Sequence, residues 1–201
     1  MQNGSCAARC RRTGVTIVAL SELPEYQAFP NDRGRNWRQE RLEVPALLRS
    51  LRLPEAPRVL EVGCGQGIAL AAFARLRQPR RLVGIDIDPS AVAEARRALD
   101  EGRIDAEVCI ADVRALPFED GAFDIVIDFG TLFHIARAGV GVAEIARVLT
   151  LGGLVVHETK ISQLLSHPVR ARARRVPWEV EPRLQAQRWA GLWATRVRVG
   201  G

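Results

Sequence analysis

The stretch VLEVGCGQG, Val59 to Gly67, ends an apolar run in three glycines spaced by two: Gly63, Gly65 and Gly67. Glycine weakens strand interiors, so such a cluster marks a sharp turn or a close backbone approach to something bound. Val59 to Val62 reads as a buried strand, and the glycines stand just past its end. An acid, Glu61, lies two residues before the first of them.

From Arg58 onward the pattern repeats, with β-rich runs and helical stretches in alternation. The strand candidates are RVLEVG (58–63), RLVGIDI (81–87), AEVCIAD (106–112), FDIVIDFG (123–130) and GGLVVHET (152–159). IALAAFARLR (68–77) and VGVAEIARVLT (140–150) read as helices between them. A third helix opens at Pro89, with Asp88 as its cap and Gly102 at its end. Near-continuous apolar strands joined by helices of about ten residues imply parallel βαβ units with right-handed crossovers. The expected fold is α/β, a doubly wound, mostly parallel sheet.

Ligands of such sheets bind beyond the carboxyl ends of the strands. Polar residues collect there: the glycine loop after strand one, then Asp86, Asp112 and Asp128-Phe129-Gly130. A dinucleotide enzyme is the natural rival, but its G-x-G-x-x-G pattern would need a glycine where Ile68 stands. Glu61 would also repel a pyrophosphate, and it suits a ligand carrying a positive charge.

On these residues the chain resembles the class I S-adenosyl-L-methionine (SAM)-dependent methyltransferases, in their UbiE-like (methyltransferase type 11) branch. VLEVGCGQG is similar to motif I and LVGIDIDPSAVAEAR to the second motif. ADVRALPFEDGAFDIVI and EIARVLTLGGLVVHET are similar to later blocks of that branch. The resemblance implies a Rossmann-like fold, SAM as cofactor and S-adenosyl-L-homocysteine as product. It further implies a loop of Gly63, Cys64, Gly65 and Gly67 around the methionine part, with Glu61 binding that end through loop amides or water. Asp86 would accept from both ribose hydroxyls, and Ile87 would pack on the adenine. Asp112 would accept from the adenine amino group, with the backbone of Val113 at a ring nitrogen. Phe129 would lie near the sulfonium. In-line alignment and desolvation carry most of such a transfer, and a base is needed only for a protonated acceptor. His134 is the candidate base, ahead of His157 and His167. No metal is expected.

The chain reads as a single domain (1–201), within which the resemblance implies a cap or lid segment (1–52), a SAM-binding core (53–160) and an acceptor-side segment completing the sheet (161–201). In the last, EPRLQAQRWAG reads as a helix stopped by Gly191, while LWATRVRVGG reads as an alternating strand and RVPWEV as another candidate. With one clear late strand, the sequence leaves open whether the last antiparallel strand is present; its absence would expose an edge that a homodimer could cover. Tyr26, Phe29, Trp37 and Trp178 are candidates for an apolar acceptor pocket.

The expected acceptor is a small molecule with a hydroxyl, nitrogen or carbon nucleophile. The alternatives are methylation of RNA or protein, a SAM-binding module without catalysis, and a nicotinamide oxidoreductase. Net charge is +6 and RARARR (170–175) is basic, but aromatic residues are not interleaved with it, which argues against nucleic acid. DFGT after strand four also lacks the Asn/Asp-Pro-Pro-Tyr tetrapeptide of amino-directed nucleic-acid enzymes. No run reaches the roughly 20 apolar residues of a membrane span. VTIVAL, behind Arg11 and Arg12, is too short for a signal peptide. Four cysteines with no zinc-like spacing read as free thiols, and the protein as cytoplasmic.

Overall fold

The computed structural model describes residues 33–158, 184–189 and 194–199. Helix α1 (Arg33–Arg38) runs through one π-helical turn (Gln39–Glu43) into α2 (Val44–Ser50). Next come β1 (Arg58–Val62), α3 (Ile68–Leu76), β2 (Arg81–Asp86), α4 (Pro89–Glu101), β3 (Glu107–Ile110) and β4 (Phe123–Asp128). A 3-10 turn (Thr131–His134) precedes α5 (Ala138–Val148), and β5 (Leu149–Glu158) follows with no intervening loop. The last strands are β6 (Leu184–Trp189) and β7 (Ala194–Val199).

The sheet order is β3-β2-β1-β4-β5-β7-β6. The first five strands are parallel, and β7 is antiparallel to both β5 and β6. This corrects one expectation and decides one question the sequence left open. LQAQRW is a strand rather than a helix, and the last antiparallel strand is present. The edge of β5 that motivated a homodimer is paired with β7. The candidate strand RVPWEV lies outside the described residues.

Side chains alternate across the sheet. Leu60, Val62, Val83, Ile85 and Val126 pack with Ile145 and Val142 of α5 on one face. Val59, Leu82, Ile125 and Ile127 pack with Val44 and Leu48 of α2, Phe73 and Leu70 of α3, and Val92 and Leu99 of α4 on the other. Glu61 alternates with Leu60 and Val62, so the pleat turns it to the α2–α3 side.

Asp88 caps α4 by accepting from Ser90 N–H at 2.8 Å, and Gly102 is its C-cap, both as expected. The helix read over 140–150 stops at Val148, and Leu149 begins β5. Cys64 is a buried free thiol, but Cys109 is disulfide-bonded, which overturns the free-thiol expectation there. Among the described residues no helix is long and apolar enough to cross a membrane.

Candidate active site

All three glycines of the loop have left-handed backbones, at φ +67°, +51° and +77°, and each lacks a side chain for its own reason. Gly63 lies against Thr131. Gly67 packs on Ala95 and Leu99 of α4, which seats the loop on that helix. A Cβ at Gly65 would meet nothing within 4 Å: its bare backbone faces a pocket. That cavity holds about 370 Å³, in the range of small-molecule sites, and lies at the carboxyl ends of β1, β2 and β4.

The acids at those strand ends differ in their partners. Asp86 is buried and accepts from Gly65 N–H at 2.9 Å (Oδ2) and Asp88 N–H at 3.0 Å (Oδ1). Burial pushes its carboxyl above the ordinary range, against those two amides. Glu61 is 2% exposed, and its Oε2 is buried with no hydrogen-bond partner. Burial holds this carboxyl well above the ordinary range, the Arg35 charge pulls it down, and Asp86 and Asp128 push it up. Such an orphaned buried acid is costly unless something binds it. Arg35 of α1 lines the same cavity and donates from Nη2 to the Phe129 carbonyl at 2.9 Å. The pocket thus holds an acid with one oxygen lacking a donor, and a cation anchored beside it.

Residues 59–153 match a family model described as a methyltransferase domain. The core of this chain is a class I SAM-dependent methyltransferase domain. A demethylmenaquinone methyltransferase from Thermus thermophilus is 39% identical over 109 residues, which are 53% of this chain and 49% of that protein. A fatty-acid O-methyltransferase from Mycolicibacterium smegmatis is 34% identical over 103 residues, 51% of this chain and 37% of that protein. The chain thus spans less than half the length of these curated relatives. A SAM-dependent methyltransferase structure from Aquifex aeolicus superposes with a TM-score of 0.68 at 17% identity, covering 85% of this chain and 98% of that one, a likeness of fold.

The residues present fit SAM, the cofactor of this domain. Its methionine end brings an ammonium and a sulfonium, donor and charge for the orphaned Glu61, and a carboxylate for Arg35.

The pocket gathers Glu61, Gly63, Cys64, Gly65, Asp86, Ile87, Asp112, Val113, Phe129 and His134 from the sequence-predicted set. Gly67 does not line it and acts through packing on α4. The Cys64 side chain packs on Gly84 of β2, and burial raises its thiol well above the ordinary range. Asp112 is held by Arg114 through Nη2 at 2.7 Å. Burial pushes the Asp112 carboxyl up, but its bonds to Arg114 overcome this and leave it below the ordinary range. His134, 8% exposed, ends the 3-10 turn on the pocket wall.

His157 is buried on β5 but does not line the pocket, and burial lowers it to about 4. Trp37 is 59% exposed and does not line the pocket either. His167, Tyr26, Phe29 and Trp178 lie outside the described residues. Among the described residues, no group of three or more His, Cys, Asp or Glu is placed to hold a metal.

Sequence reading missed Arg35, Gln66, Glu94 and Arg114. Gln66, within the glycine loop, accepts from Asn36 of α1 at 3.1 Å and donates to Glu94 of α4. The signal available was amphipathic: Glu94 falls on the α4 face that Ser90 and Ala91 turn to the loop.

Proposed function

We propose that this protein is an enzyme that transfers the methyl group of SAM to a small-molecule acceptor. The observation that carries this reading is Glu61, a buried carboxylate with an orphaned oxygen on the wall of a cavity that a bare Gly65 opens. A cationic ligand end relieves that cost, whereas a pyrophosphate raises it.

When bound, the cofactor would supply a sulfonium methyl open to in-line attack by the acceptor nucleophile, the new bond to carbon forming as the C–S bond breaks and its electron pair stays on sulfur in S-adenosyl-L-homocysteine. The chain's own residues hold and align. Glu61 and Arg35 take the methionine ammonium and carboxylate, and Asp86 takes the ribose hydroxyls. Asp112 and the backbone of Val113 read the adenine edge, and Ile87 packs on its face. Phe129 and the 3-10 turn exclude water near the methyl. His134, on the same wall, takes the proton of a hydroxyl acceptor. A small acceptor is supported by the fatty-acid and demethylmenaquinone enzymes to which the core is similar.

Calorimetric titration with S-adenosyl-L-homocysteine and, separately, with NAD tests the cofactor. Binding of the first and not the second is expected, weakened about 100-fold or more by Asp86→Ala through loss of a charge-assisted acceptor pair. Binding of NAD alone, or an Asp86→Ala protein that binds as well as the parent, overturns the reading. Turnover of a fatty acid or quinol panel with SAM then tests the acceptor class.

A further inference from the structure

Arg114 makes an unusually complete set of contacts with Asp112. Its backbone N–H donates to Oδ1 at 2.8 Å, Nε reaches Oδ1 at 3.0 Å and Oδ2 at 3.1 Å, and Nη2 donates to Oδ2 at 2.7 Å. A carboxylate offers about four lone-pair directions, so these donors occupy most of its acceptor capacity. The same guanidinium donates from Nη1 to the Ala136 carbonyl at 3.4 Å. Ala136 follows Ile135, and Ile135 and Asp112 both line the pocket. Arg137 comes next with a left-handed backbone, φ +55°, and its charge faces Asp112. A single side chain, 15% exposed, therefore fastens the loop after β3 to the loop before α5.

We propose that Arg114 is the specificity-setting positioning residue of the purine end of the pocket. It locks Asp112 in one rotamer and anchors the 135–137 loop against it, so that the pocket accepts an amino-bearing purine and rejects a keto one. This rests on the SAM reading above. An adenine amino group donates a hydrogen bond toward Asp112, whereas a hypoxanthine ring presents a carbonyl oxygen there. A carboxylate free to rotate can turn away from that oxygen. One held by a planar fork cannot, so the repulsion persists, screened in part because the Asp112 side chain is 31% exposed. Lysine carries the charge but not the fork, so it does not hold the rotamer.

The test is calorimetry of the full chain with S-adenosyl-L-homocysteine and with S-inosyl-L-homocysteine, on the parent, Arg114→Gln and Arg114→Lys, with thermal melts alongside. The parent is expected to prefer the adenine ligand by about 100-fold or more, a rejection smaller than that of a fully buried mismatch because the Asp112 side chain is 31% exposed. Arg114→Gln and Arg114→Lys are each expected to shrink that ratio about tenfold or more, whatever their effect on melting. A ratio unchanged in either folded variant overturns the proposal and makes the ion pair a structural brace. Absence of S-adenosyl-L-homocysteine binding by the parent overturns the SAM reading itself, a separate result.

Discussion

A methyl group placed on Gly63 would lie 1.8 Å from Thr131 Oγ1, the hydroxyl that donates to the Val62 carbonyl at 3.1 Å. The first glycine of the loop is thus a seat for the 3-10 turn, whereas Gly65 faces open space. Gly63→Ala is expected to destabilise by about 3 kcal/mol or more, from the clash and the left-handed backbone together. Gly65→Ala is expected to cost only about 1 kcal/mol and yet to abolish S-adenosyl-L-homocysteine binding. Chemical denaturation and calorimetry on the two variants separate these roles. Equal loss of stability in both would sink the distinction.

Glu61 sets function against stability. Burial opposes ionisation of this carboxyl, and the Arg35 charge favours it. Glu61→Gln keeps the shape and removes the charge. The apo variant should melt a few degrees higher, by about 1 kcal/mol or more, and bind S-adenosyl-L-homocysteine about tenfold or more weakly. A variant that is less stable and binds normally would show that Glu61 serves only Arg35.

The pH dependence of folding has a defined sign. Burial raises Asp128 from 3.8 to about 7, with Glu158 adding repulsion and the amides of Leu132, Thr131 and Gly130 opposing. Between those values the folded protein holds a proton that the unfolded chain has released, so stability falls as pH rises from about 4 to 7. His157, lowered from 6.5 to about 4, works the other way: its contribution rises from about 4 to 6.5. Asp128→Asn removes the first slope. Its stability gain over the parent should be near zero at pH 4 and grow toward an upper figure of about 4 kcal/mol above pH 7. Denaturant titrations across this range provide the check, and a gain independent of pH would refute the assignment.

Arg147 braces the loop that leads into β4. It donates to the carbonyls of Leu116 (3.0 Å) and Phe118 (2.8 Å), and pairs with Glu144 and Asp120. Arg147→Lys should cost about 2 kcal/mol, because an ammonium cannot span two carbonyls and a carboxylate in one plane. Urea unfolding measures it, and a change under about 0.5 kcal/mol would mean the loop stands without the brace.

The parallel strands were legible because burial on both faces leaves unbroken apolar runs, as in RLVGID and FDIVID. LQAQRW was not legible: Gln, Ala and Leu suit helices, and only pairing with β7 makes this stretch extended. At the site, the glycines and strand-end acids announce themselves by position. Arg35 and Arg114 do not, since the first arrives from a helix ahead of the sheet and the second's tie to Ala136 depends on tertiary placement. The disulfide at Cys109 likewise has no local signature.

The placement of β7 between β5 and β6 sets synthesis order against sheet order. β6 is synthesised before β7, its hydrogen-bonding neighbour. Until β7 follows, β5 also offers a bare edge beside a finished five-stranded sheet. The nascent protein therefore passes through a stage with an open β-edge, which favours pairing with other chains.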